Sequence, residues 1–202
     1  MNAEDKRVLI SESGMFYIDG NGVAQRFWPS SNNPILKEET EMNANYTVKT
    51  DMSIRTLIVP EGVKGLASDF MRGTRIIERF ELPEGLISIG DNSFDFVKGC
   101  HGVFANCILP EVVIPQSVQE IGLFAFGNSH IDVLQLPVTL HSPYGRQFKD
   151  SYIGKLRLPK EWENIVALGE HNRLCFNFQG DDRDKYGYLR WPSTYVENLE
   201  FY

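Results

Sequence analysis

The sequence predicts a β-rich α/β chain that folds as a right-handed solenoid of five to six stacked units of about 22–23 residues. Three observations predict it: a motif recurs along the middle of the chain, its apolar positions stay fixed, and each copy ends in proline. The chain has 202 residues, of which 42% are hydrophobic, and this composition is typical of a globular protein with a sizeable core.

The repeated motif is a short apolar stretch that ends in proline. It occupies residues 57–60, 80–83, 112–115, 134–137 and 156–159. Successive prolines are 23, 32, 22 and 22 residues apart. A further aliphatic residue stands six residues before each proline: Ile54, Ile77, Leu109, Ile131 and Ile153. The long second interval predicts an insertion of about ten residues, at about 94–103.

Each motif predicts a short strand with one face in the core. The residues one and three before the proline are apolar and are expected to face the core, and proline ends the strand because it has no N–H to donate. An apolar residue eleven positions after the proline (Met71, Phe94, Phe126, Phe148) is expected to pack behind the strand. Since one unit cannot bury this surface alone, the units must stack, with their strands parallel.

The third and fourth units resemble a known repeat. Residues 114–126 read Ile-Pro-Gln-Ser-Val-Gln-Glu-Ile-Gly-Leu-Phe-Ala-Phe, and residues 134–137 read Leu-Gln-Leu-Pro. This pattern is similar to the BspA-type leucine-rich repeat over about residues 50–168. The first unit departs from it with Ala67 and Met71, and the fifth has Glu170 in place of Phe. The resemblance implies a leucine-rich-repeat solenoid and, for function, a protein-interaction module. The family also includes bacterial surface adhesins that bind host matrix proteins, a role that requires export.

The two ends of the chain differ from the repeats. Residues 1–50 predict a β-hairpin cap around the turn at 19–22, followed by a polar loop, and residues 51–170 hold the repeats. Residues 160–168 predict a short helix with Trp162, Ile165 and Val166 on one face and Gly169 as its C-cap. In the C-terminal segment, 171–202, residues 174–178 and 186–192 predict strands, the second as a degenerate sixth unit or cap.

Charge and composition restrict the partners and the compartment. The net charge of −7 argues against a general nucleic-acid binder, which needs a basic face. A polar, mostly charged beginning and short apolar runs predict a cytoplasmic chain with no membrane-spanning segment. Cell-surface or secreted placement would require that a leader had been removed.

The sequence carries no motif of an enzyme or a cofactor site: G-x-S-x-G, H-E-x-x-H and the Walker loop are all missing. We therefore predict a non-catalytic chain with no cofactor and no metal. The alternative is a metal-dependent enzyme built on Cys100, His101 and Cys107. These are three local ligands where tetrahedral zinc takes four, and Cys107 is expected to be a small buried residue of the repeat.

The candidate binding residues lie between the core positions of the strands, where side chains have no packing role. They form two columns: Thr56, Arg79, Glu111, Val133 and Lys155 in one, and Ile58, Glu81, Val113, Gln135 and Arg157 in the other. Apolar residues flanked by charges are typical of a modest protein interface. The alternative is that Val and Ile occur here only because of their high β-propensity. A glycan-binding surface is a further alternative, but Tyr144, Tyr152 and Trp162 fall mostly at core-like positions.

Overall fold

The computed structural model describes residues 8–9, 16–26, 52–68, 70–90, 102–140, 145–176 and 194–202. Two six-stranded sheets dominate this part of the chain and share one buried core. In chain order the strands are β1 (Val8–Leu9), β2 (Phe16–Ile18), β3 (Val23–Arg26), β4 (Met52–Ile58), β5 (Gly65–Leu66), β6 (Thr74–Glu81), β7 (Ser88–Ile89), β8 (Ile108–Val113), β9 (Glu120–Ile121), β10 (His130–Gln135), β11 (Tyr152–Leu158), β12 (Val166–Leu168), β13 (Leu174–Phe176) and β14 (Tyr195–Phe201).

The front sheet consists of the long strands of successive units, in the order β4-β6-β8-β10-β11-β14. All its neighbours are parallel, and from β8 to β14 the register repeats from unit to unit. Leu134, three residues before its proline, pairs with the equivalent Val112 on one side and Leu156 on the other. The predicted solenoid of stacked parallel strands is confirmed.

The back sheet has the order β1-β2-β3-β5-β7-β9. Its repeat strands β5, β7 and β9 are two residues long and parallel. The N-terminal strands β1, β2 and β3 pair antiparallel, and β3 then joins β5, so the predicted hairpin is confirmed and extends the back sheet. The carboxylate of Asp19 fixes its turn by accepting hydrogen bonds from the N–H groups of Asn21 (2.8 Å) and Val23 (3.1 Å).

A column of phenylalanines runs through the core. Phe104, Phe126 and Phe148 stack nearly parallel, with ring centroids 4.7 and 5.3 Å apart, and Phe80 meets Phe104 edge-on at 5.6 Å. All four rings are buried, which confirms the core position predicted for Phe126 and Phe148. Met71 is also buried, whereas Phe94 and most of the predicted insertion at 94–103 lie outside the described residues.

A second column joins neighbouring units through buried hydroxyl and thiol groups. The Cys107 thiol donates to the Met71 carbonyl (2.8 Å), and the Thr194 hydroxyl donates to the Phe148 carbonyl (2.6 Å). Between them, Ser129 donates to the carbonyl of Phe104, and Ser151 to the carbonyl of Phe126. Each small polar side chain therefore satisfies a buried carbonyl of the preceding unit. The structure confirms that Cys107 is a buried repeat residue.

Left-handed backbone recurs once per unit just before this polar position. Gly73, Asn106, Asn128 and Asp150 have φ values of 67°, 57°, 60° and 60°. Glycine, Asn and Asp are the residues that tolerate this conformation, which explains their recurrence here. The amide of Asn128 also donates to the side-chain oxygen of Asn106 (2.5 Å), so the turns of two units are directly linked.

The second unit departs from the predicted register by one residue. Ile77 stands six residues before its proline, as Leu109 and Ile131 do, but it is 54% exposed, whereas Ile76 is 2% exposed. The pairing explains the difference: Ile54 lies opposite Ile76 while Thr56 lies opposite Arg79, so β6 contains one extra residue. This bulge also accounts for the 23-residue interval between the first two prolines.

The helix predicted over residues 160–168 is wrong. A 3-10 helix covers only Lys160–Trp162, and the chain then forms β12, which pairs antiparallel with β13. Gly169 precedes a second 3-10 helix, Glu170–Asn172, in the connection between these strands. The buried Trp162 and Val166 satisfy a helical spacing, but a short apolar segment fits helix and strand alike, and pairing with β13 decides it. The strand predicted at 174–178 is confirmed over 174–176 by β13, and residues 177–178 lie outside the described residues.

The sixth strand of the front sheet is β14, which the sequence did not predict. It pairs in register with β11, placing Val196 opposite Ile153 and Leu199 opposite Leu156. The strand predicted at 186–192 lies outside the described residues. Tyr202 stands where the other units have proline, and its N–H donates to the Leu158 carbonyl (2.9 Å).

Helices contribute little to the part of the chain that the structure describes. Its helical segments are 3-10 turns at Gly145–Phe148, Lys160–Trp162 and Glu170–Asn172. Within the described ranges, no helix has the length and apolar character needed to cross a membrane.

Candidate functional site

The ten candidate binding residues lie on the exposed side of the front sheet, which we call the front face. On its N-terminal part, Thr56 pairs with Arg79 and Ile58 with Glu81. From β8 to β14 the two columns continue in register as Glu111, Val133, Lys155 and Asn198, and as Val113, Gln135, Arg157 and Glu200. The strand pairing therefore aligns the columns from β4 to β6 and again from β8 to β14, and β14 adds Asn198 and Glu200 to them.

Strand geometry explains why these residues face outward. In β10, Ile131 and Leu134 are buried in the core, while Val133 and Gln135 are half-buried on the other side of the strand. The same inward positions hold Leu109 and Val112 in β8, both buried. Because core packing selects only the inward positions, the outward ones are free to carry a binding surface.

The front face has exposed apolar side chains as well as charges. Ile58 is 46% exposed and Val113 is 44% exposed, and Val133 is half-buried between Glu111 and Lys155. When a partner covers such apolar groups, their burial favours binding by about 25 cal/mol per Å² of apolar surface removed from water.

Ion pairs link the charged members of the front face across several strands. Glu200 accepts from Lys155 (3.0 Å) and from Arg157 (3.4 Å), and Arg157 also reaches Glu111 (3.4 Å). The hydrogen bond from Lys155, together with Arg157, lowers the pKa of the Glu200 carboxyl, so this group is ionised at neutral pH. Such exposed pairs contribute little to stability, so charged groups of a partner can replace them by forming ion pairs with the same residues.

An aromatic column, not predicted from the sequence, lies at the start of the front strands. His130, Tyr152 and Tyr195 stack with centroids 4.5 and 5.2 Å apart and planes within 29° and 13°. The Tyr152 hydroxyl donates to the Glu197 carboxylate at 2.5 Å. This hydrogen bond is the main cause that raises the pKa of Tyr152 to about 12, with burial and the charge of Glu197 adding to it.

The residues considered above for metal or glycan binding lie only partly within the described residues. The His, Cys, Asp and Glu side chains of the described residues form no group of three or more that could hold a metal ion. Cys107 is buried and donates to the Met71 carbonyl, while its proposed fellow ligands Cys100 and His101 lie outside the described residues. Of the aromatics considered for glycan binding, Trp162 is buried, Tyr152 is half-buried in the aromatic column, and Tyr144 is outside the described residues.

Comparison with protein families agrees with this architecture. The model described as "BspA type Leucine rich repeat region" matches residues 49–101 and 100–167, in six copies. The chain belongs to the BspA-type leucine-rich repeat family. No curated protein and no solved structure matches it.

Membership in the BspA-type family suggests a role in protein interaction, and such repeats are typically non-catalytic. The matched residues end before β14, so the structure extends the front face of these leucine-rich repeats by one strand. A signal for that strand is present in the sequence: Val196, Leu199 and Phe201 have the apolar spacing of the repeat. Tyr202 replaces the proline that marked every other copy, which is why the strand was missed.

Proposed function

We propose that this BspA-type leucine-rich repeat chain is a non-catalytic interaction module that binds a protein partner through the front face. The observation that carries the proposal is the pairing of two outward columns across successive strands, which combines exposed Ile58 and Val113 with ion-paired charges. An apolar centre with a charged rim is the usual composition of a protein interface.

The dimensions of the front face favour a small interface. Six strands spaced about 4.8 Å apart extend over roughly 24 Å, which suits an interface of standard size or smaller. The mixture of charges favours a protein partner over nucleic acid, since phosphate recognition needs a surplus of Lys and Arg. Affinity in this size range depends on a few well-packed contacts rather than on total area.

Affinity capture with mass spectrometry tests the proposal. The bait is the wild-type chain beside a front-face variant in which Ile58, Arg79, Val113 and Arg157 are changed to Ser. A matched control changes two exposed apolar and two exposed basic residues away from the front face, namely Ile87, Val138, Lys64 and Lys160, to Ser. We expect a protein that wild type and control capture and the front-face variant does not.

The source of the captured protein addresses the compartment. Extracts of the cells that make the chain test the cytoplasmic expectation, and extracellular matrix of a host tests the adhesin role known in the family. A captured protein lost equally from the front-face variant and the control would move the binding site off the front face. Capture by all three baits would do the same.

A further inference from the structure

A groove of about 440 Å³ opens on the front face between β6 and β8. Its apolar lining comes from Phe80, Leu82, Pro110, Val113 and Pro115. At the equivalent position of other units, the end of each front strand is hydrogen-bonded to the next strand. There the N–H groups of Val59, Ile114 and Leu136 each donate to a carbonyl of the next strand at 2.9–3.0 Å. Among the described residues, β6 and β8 pair only at Arg75 and Ile108.

The local sequence explains why the ladder is interrupted here. Pro110 lies inside β8 and has no N–H, so it cannot continue the hydrogen bonding that a central strand requires. The extra residue in β6, which leaves Ile77 exposed, shifts the register on the other side of the groove. The two departures from the repeat occur on facing strands, and together they produce the groove.

The charges of the groove are mainly negative. Its lining includes Glu78, Glu81, Glu84 and Glu111 against the single cation Arg79. Three of these carboxylates have exposed partners: Glu78 with Arg55 at 2.5 Å, Glu81 with Arg79 at 2.6 Å, and Glu111 with Arg157 at 3.4 Å. Exposed pairs of this kind are weak, so a cation of a bound partner can replace them without a large loss.

We propose that this groove binds a short extended segment of a protein partner that carries Lys or Arg side chains among apolar ones. The proposal rests on the proposed function of the front face and names the part of the partner that it recognises. A basic side chain would lie between Glu81, Glu84 and Glu111, and an apolar side chain two residues away would cover Val113 and Pro110. Side chains two residues apart share one face of an extended segment, so that face can meet both the apolar floor and the charged rim of the groove.

Fluorescence anisotropy with short labelled peptides tests the groove. In each peptide a Lys or Arg stands two residues from a Val, so that both share one face, and matched versions carry Glu or Gln in place of the basic residues. We expect the wild-type chain to bind the basic peptides about tenfold or more tightly than the acidic ones, with the preference falling as salt rises. No preference for the basic peptides would overturn the proposal. Spermine carries positive charge without apolar side chains, so the proposal would also be overturned if spermine displaced the basic peptides as readily as the same peptides without label do.

Paired charge reversals locate the binding. Glu81→Lys with Glu84→Lys changes the groove, and Glu161→Lys with Glu163→Lys makes the same change in net charge at exposed positions beyond β11. The groove variant should lose at least about tenfold in affinity for basic peptides and gain affinity for acidic ones, while the control stays within about twofold of wild type. Equal losses in both variants would reduce the effect to net charge and overturn the groove.

The partner from the capture experiment separates this proposal from the one on which it rests. A protein that needs Ile58 and Arg157 but binds the Glu81→Lys, Glu84→Lys variant normally would overturn the groove and leave the front face as the binding surface. A protein that no front-face substitution affects would overturn both.

Discussion

At the scale of single residues, the hydroxyl group of Ser129 satisfies two buried backbone groups of the preceding unit. Its buried hydroxyl donates to the Phe104 carbonyl and accepts from the Cys107 N–H at 3.2 Å. Ser129→Ala removes both bonds and leaves two buried backbone groups without this partner. We expect it to lower the free energy of unfolding by about 1–3 kcal/mol in urea titrations.

The exposed Ser53 and the thiol of Cys107 serve as controls for this prediction. Ser53→Ala changes an exposed residue and should alter stability by less than about 0.5 kcal/mol. Cys107→Ser keeps a donor of the kind that Ser129 and Ser151 supply in the same column, so the variant should remain folded. A Ser129→Ala protein as stable as Ser53→Ala would contradict a stabilising role for the polar column.

Phe126 and Gln135 test the difference between core and front face. Phe126 is fully buried between the rings of Phe104 and Phe148, so Phe126→Ala should cost roughly 3–5 kcal/mol of unfolding free energy. Gln135 lies on the outward side of β10, and Gln135→Ala should cost less than about 0.5 kcal/mol. Equal melting temperatures for the two variants would contradict the assigned register.

Tyr152 predicts a contribution to stability that depends on pH. Its pKa is raised from 10.0 to about 12 by the hydrogen bond to Glu197, by burial and by nearby negative charge. Because the folded pKa lies above the unfolded one, the protonated phenol favours folding. This stabilisation is fully present below about pH 10 and is lost as the pH rises toward 12. The stability difference between wild type and Tyr152→Phe should therefore be constant below that range and shrink within it.

Absorbance titration of the phenolate isolates this group from the other seven of the eight tyrosines. The difference between wild type and Tyr152→Phe should show a midpoint near pH 12, and Glu197→Gln should move that midpoint toward 10. A wild-type midpoint already near 10 would contradict the hydrogen bond as the cause.

At the scale of elements, the bulge in β6 puts Ile76 in the core, although the proline spacing aligns Ile77 with the inward residues of other units. We expect Ile76→Ala to destabilise the fold by about 2–5 kcal/mol, because it leaves a cavity beside buried neighbours. Ile77→Ala should change stability by less than about 0.5 kcal/mol, since its side chain is half exposed. Thermal unfolding of the two single variants distinguishes them, and the opposite order would restore the register expected from the proline spacing.

The elements that the sequence predicted well are those whose signal is a period. The positions of Leu134, Leu136 and Pro137 recur in all five predicted units, because each strand must bury the same two side chains and then stop. Residues 160–168 lacked such a constraint: Trp162 and Val166 fit a helix as well as a strand, and only pairing with β13 decides between them. Bulges such as the one in β6 depend on which neighbour a strand meets.

At the scale of the whole molecule, the same periodicity explains how far the candidate site could be predicted. Registering the prolines placed Thr56 to Lys155 and Ile58 to Arg157 in columns that the pairing reproduces on each side of the groove. The column of His130, Tyr152 and Tyr195 was missed because Tyr195 belongs to a strand without the proline signal. The groove was not predicted because it arises from two departures from the repeat, the extra residue in β6 and Pro110 in β8, and a periodic pattern indicates neither.

We propose above all that the front face, rather than the opposite turns of the solenoid, binds a protein. The most direct test is the dissociation constant of the captured partner, purified, for three chains: wild type, the front-face variant and its matched control. We expect the four front-face changes to weaken binding by about tenfold or more, since a few central residues dominate an interface, while the control stays within about twofold of wild type. Unchanged affinity for the front-face variant, with a loss in the control, would contradict it.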